Sequence, residues 1–97
     1  MLKYEPITLN GKHFLNIWFP TFHQDREMTF KEKREALRIL RCFENDIKRI
    51  MPEFQPCGWA TWVEKDHGNV ASLVEKLGAV KVEELSDRAW YAKTIGV

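Results

Sequence analysis

Nowhere does the chain offer the ~20 consecutive apolar residues that a membrane-spanning helix needs. Its opening, Met1-Leu2-Lys3-Tyr4-Glu5-Pro6, holds no apolar run of signal-peptide length either. A cytoplasmic protein is therefore expected, with no membrane partner. Paired cysteines are missing too: Cys42 and Cys57 form no CxxC pair, which predicts two reduced, partly buried thiols. His13, His23 and His67 show no metal-ligand spacing with them, so no metal site is expected. Charge of one sign is also lacking, because 15 Lys and Arg face 14 Asp and Glu for a net +1. That balance weighs against nucleic acid and anionic membranes as partners. Repeats, low-complexity tracts and linkers are absent, and 97 residues suit one domain rather than two.

What is present is a set of local signals. Four Trp, two Tyr and six Phe can build a sizeable core without staples. Asn10-Gly11 suits a type I′ turn, so Tyr4 to Leu9 and Lys12 to Phe19 should form a hairpin with Ile7 near Phe14. Pro20 ends the second strand, and His23 to Met28 reads as a polar loop. Thr29-Phe30-Lys31-Glu32 is a capping box. Behind it Phe30, Leu37, Leu40, Phe43, Ile47 and Ile50 recur at helical spacing, predicting a helix from Phe30 to Met51 before Pro52. Pro56 to Glu64 reads as a strand buried on both faces. Asp66 or His67-Gly68-Asn69 can cap a second helix with Val70, Leu73, Val74 and Leu77 inward and Gly78 as its left-handed stop. Ala79 to Leu85 and Arg88 to Ile95 read as strands about a Ser86-Asp87 turn. The expectation is an α/β fold of order β-β-α-β-α-β-β, a mixed sheet of about five strands with two helices.

That order resembles the C-terminal half of the GNAT acyltransferase fold. Trp62-Val63-Glu64, then His67 to Ala79 with its Glu75-Lys76-Leu77-Gly78-Ala79 ending, is similar to the family's strand and "N…A…LYEKLGF" helix. Trp90-Tyr91-Ala92 resembles the closing strand. Small GNAT-like proteins of short-tailed phages end similarly, so the resemblance implies a phage origin and residence in host cytoplasm or virion. It also implies a truncated fold, lacking the family's N-terminal strands.

For function, the resemblance directs attention to a pyrophosphate loop before the long helix, where the family uses glycines. Gln24 matches, but Glu27 and Thr29 stand at the glycine positions, and Asp25 and Glu27 bring negative charge. Gln24, Arg26, Thr29 and Asn69 are the candidate acetyl-CoA contacts. The family's general acid, a Tyr, falls on Val74, which cannot protonate a thiolate. Glu64, Tyr91 and His67 remain as candidate catalytic groups, each with a plain alternative as strand-end charge, core aromatic or helix cap. Ser72 has no nucleophile elbow around it. Lys31, Lys33, Arg34, Arg38, Arg41, Lys48 and Arg49 on the long helix are interrupted by Glu32, Glu35, Glu44 and Asp46, as on a solvated face.

Three functions compete on these grounds. The first is a non-catalytic module that binds a protein partner or assembles with itself and needs no cofactor. The second is a minimal N-acetyltransferase using acetyl-CoA and an atypical phosphate loop. The third is a nucleic-acid-binding accessory protein working through the basic helix.

Overall fold

Asn10 and Gly11 both take positive φ, 51° and 77°, as a type I′ turn requires. They join β1 (Lys3–Leu9) to β2 (Lys12–Trp18) with Ile7 opposite Phe14. The structure, a computed structural model, describes residues 3–18, 29–65 and 68–95. The Pro20 strand end, the loop from His23 to Met28 and the capping group of the second helix lie outside them.

Helix α1 (Phe30–Asp46) starts at Thr29 with both capping-box bonds in place. The Glu32 N–H donates to Thr29 Oγ1 at 3.2 Å, and the Thr29 N–H donates to Glu32 Oε1 at 2.9 Å. The helix stops at Asp46, a turn short of the expected Met51. There the ladder tightens: Ile47 N–H reaches back three residues to Glu44 O, and Arg49 N–H does the same to Asp46 O. Met51, at φ 51°, then turns the chain away.

Strand β3 (Gly58–Glu64), helix α2 (Gly68–Lys76), β4 (Val80–Glu84) and β5 (Arg88–Thr94) complete the chain. Gly78, at φ 105°, closes α2 as predicted, with Ala79 N–H bonded to Val74 O and Gly78 N–H to Glu75 O. That pair of bonds is the Schellman arrangement. The five strands lie in the order β1-β2-β3-β5-β4, with β2 and β3 parallel and the other neighbours antiparallel. The fold is thus α/β, with a mixed sheet and two helices among the described residues.

Both helices contribute to one core. Ala36, Leu40, Phe43 and Ile47 of α1 and its cap, with Val70 and Val74 of α2, pack with Leu15, Ile17, Trp59, Val63, Ala89 and Tyr91. Three expectations fail in detail. Phe30 is 76% exposed, because at the first turn of α1 it projects away from this core. Leu37 is only half-buried, and Ala36 takes the inward place beside Leu40. Cys42 is exposed and only Cys57 is half-buried.

The opposite face of the sheet carries no helix among the described residues. Leu9, Phe14, Ala60 and Ala92 nevertheless form a second buried cluster there, with Ile7, Val82 and Trp90 against it. Curling of the sheet explains the burial. Asn10, at the hairpin tip, donates from Nδ2 to the carbonyl of Val82 at 3.2 Å, so one end of the sheet reaches the far edge. Trp62 is half-buried and Glu64 exposed, so β3 is covered on both faces only from Gly58 to Thr61.

Candidate functional site

Strand parity decides which candidate groups can meet. In β3, Trp59, Thr61 and Val63 point to the helices, so Glu64 points the other way. Thr61 is opposite Tyr91 and Glu64 is opposite Arg88 in the antiparallel β3–β5 ladder. Tyr91 therefore lies on the helix side, 5% exposed, while exposed Glu64 lies on the helix-free side. The two do not share a site. Thr29 is the cap of α1, its hydroxyl already accepting from Glu32 N–H. Gln24, Arg26, His67 and the side chain of Asn69 lie outside the described residues.

Two other places gather polar chemistry. The first is where β2 and β3 separate. Their parallel pairing is limited to Leu15 with Trp59 and Asn16 with Ala60. Before it, Cys57 N–H donates to His13 O at 2.8 Å; beyond it, the Thr61 hydroxyl replaces the ladder by donating to Ile17 O at 3.4 Å. Asn16, 3% exposed, leaves its Oδ1 without a donor, and its Nδ2 lies 3.5 Å from Glu5 Oε1. Such a buried, unsatisfied acceptor is uncommon in folded proteins.

The second is the outer edge of β1. A two-residue I′ turn makes Leu9 and Lys12 a hydrogen-bonded pair, and the pattern alternates from there. Hence the backbone groups of His13, Leu15 and Ile17 face β3, as the bond to His13 O confirms. Their partners Thr8, Pro6 and Tyr4 then turn their backbone groups outward, away from the sheet. Pro6 stands where its missing N–H costs the hairpin no bond. Along β1 only Leu9 is buried, and Tyr4, 43% exposed, leans on Phe43 with ring centroids 5.9 Å apart. The other edge, β4, is blunted differently. It has a bulge between Lys81 and Glu83, and Glu84 bonds to Lys65 and Lys81. Those bonds, Lys81 first, hold the Glu84 carboxyl below its ordinary value.

His13 packs against Phe54 in a tilted ring contact with centroids 4.6 Å apart, and its Nδ1 lies 3.1 Å from the Thr8 hydroxyl. No group of three or more metal-ligating side chains is found among the described residues, nor a helix long and apolar enough to cross a membrane. A cluster that spacing did not suggest joins three elements. The Trp59 indole N–H donates to Glu44 Oε2 at 2.7 Å, and Lys93 Nζ donates to the same oxygen at 2.9 Å. Against protein-family models, curated proteins and solved structures, the chain finds no match.

Proposed function

We propose that this chain is a GNAT-like, non-catalytic assembly module that binds another chain, a protein partner or a second copy of itself, through the outer edge of β1. The observation that carries the reading is the row of outward backbone groups at Tyr4, Pro6 and Thr8, which no strand covers among the described residues. Strand addition satisfies such groups and lets neighbouring side chains set the choice of partner. In an antiparallel pairing of two copies centred on Pro6, Tyr4 of each faces Thr8 of the other. The outward donors of Tyr4 and Thr8 are then used. The separation of Glu64 from Tyr91 onto opposite faces supports a module without acid–base chemistry of its own.

Size-exclusion chromatography with light scattering tests the homo-oligomer version. The expected result is a dimer at micromolar concentration, and Thr8→Pro should return it to monomer by removing an outward donor while sparing the backbone bonds to β2, at the cost of the Thr8 hydroxyl contact with His13. A wild-type monomer that also captures no partner strand sinks the reading.

A second reading, the minimal N-acetyltransferase, is favoured by one observation: the opening between the ends of β2 and β3, with Asn16 Oδ1 lacking a donor among the described residues beside it. Calorimetric titration with acetyl-CoA separates the two. Little or no heat is expected, since Asp25 and Glu27 precede α1 where anionic phosphates would bind. A low-micromolar dissociation constant promotes the enzyme reading instead.

A further inference from the structure

On the outside of the helical layer, α1 and α2 leave an open groove of about 410 Å³. Its floor is apolar, built from Leu37 and Leu40 of α1 and Leu73 and Leu77 of α2, with exposed Phe30 at the N-terminal end of α1. Its rim is cationic: among the described residues, Lys33, Arg34, Arg41, Lys76 and Lys93 line it with one carboxylate, Glu44. That carboxylate is already held by Lys93 and the Trp59 indole. Among the described residues, Lys33, Arg34, Arg41 and Lys76 have no ion-pair partner; Arg34 lies over the Phe30 ring, 5.7 Å from its centroid. Two acidic groups near the start of α1 are engaged elsewhere. Glu32 belongs to the cap, and Glu35 is bound by Arg38, whose hydrogen bond lowers the Glu35 carboxyl below its ordinary value.

We propose that this groove docks an acidic amphipathic helix of a partner protein. Charge complementarity selects the sign of the occupant, since four cations without an ion-pair partner among the described residues surround an apolar floor. The walls select its shape. Both are helices whose backbone groups are bonded internally, so an extended strand would find no ladder there. A helix satisfies its own backbone and presents apolar side chains at the spacing of the groove's leucines. Along α1, Phe30 to Glu44 spans about 21 Å at 1.5 Å per residue, roughly four turns of an incoming helix. This extends the interaction-module reading to a second surface, which does not depend on the β1 edge.

The test uses the full chain and a fluorescein-labelled peptide of about four helical turns, with Leu at helical spacing and Glu on both flanks. Fluorescence anisotropy at low salt should show saturable binding that weakens as salt is raised. Arg34→Glu with Arg41→Glu should weaken it about tenfold or more, because two exposed attractions become repulsions. Both side chains are exposed, and an unchanged unfolding midpoint verifies that the double variant stays folded. The proposal is overturned by any of three results: no binding of the acidic peptide, equal binding by a peptide with Leu at every second position, or unchanged binding by the double variant. Binding of dodecanoate or an oligonucleotide duplex in place of the peptide overturns it as well. Thr8→Pro should leave peptide binding intact, so failure at the edge and failure at the groove read separately.

Discussion

Replacing Gly58 by Ala should destabilise the fold by about 1–3 kcal/mol or more, although it adds one methyl group. A Cβ at Gly58 would sit 1.9 Å from the carbonyl oxygen of Lys93, 2.8 Å from its carbon and 2.9 Å from Thr94 Cα. All three are backbone atoms, so no side chain can swing aside, and β3 or β5 must shift. These strands form the centre of the sheet, and Lys93 also supplies an ammonium to Glu44. The loss is a large share of the roughly 5–15 kcal/mol that holds a domain folded. Urea unfolding checks it: a midpoint equal to that of the parent would show that the strands do not approach so closely at Gly58.

Trp59→Ala should cost still more, about 3–5 kcal/mol from the emptied volume alone. Trp59 is 1% exposed and lies within the main core. Its removal also takes a charge-assisted hydrogen bond from Glu44, whose side chain is only 17% exposed. Trp59→Phe separates the two effects. It keeps most of the packing and loses the N–H donor, so about 1–3 kcal/mol is expected, the range for a donor lost from a charged group. Thermal unfolding of the two variants, repeated with Glu44→Gln present, isolates the bond by a double-mutant cycle. Trp59→Phe and Trp59→Ala with equal losses would mean that packing around the indole contributes nothing.

The features that could be read from the sequence are those decided within a few residues. Asn10-Gly11 specifies its own turn, Thr29 and Glu32 cap each other three residues apart, and Gly78 adopts the φ that ends a helix. Each needs no knowledge of the rest of the chain. The features that escaped depend on where distant segments meet. Phe30 fits the apolar spacing of α1, yet the first turn lies off the main core, so spacing alone misassigned it. Gly58 lies in the strand read from Pro56 to Glu64; a glycine inside a strand hints at close backbone approach, but only the β3–β5 register shows against what. The same register assigns Glu64 and Tyr91 to opposite faces. A shift by one residue would have reversed that, and no local pattern fixes it. The Glu44–Trp59–Lys93 cluster draws on α1, β3 and β5, and its signal is no more than one Glu among the mixed charges of the long helix.

The bond from Asn10 to Val82 bears on how the molecule gains and loses structure in time. It links positions 72 residues apart, and the helix-free cluster beneath it takes Leu9 and Phe14 from the first hairpin and Ala92 from the last strand. The hairpin can form early and alone, since its own pairing is local. It cannot bury Phe14 until β5 has been inserted between β3 and β4, and that step must wait for nearly the whole chain. Such long-range closure slows folding relative to helical proteins of the same length. It also ties the two ends together, so that amide hydrogens in β2 and in β5 should exchange through the same opening, as one cooperative unit.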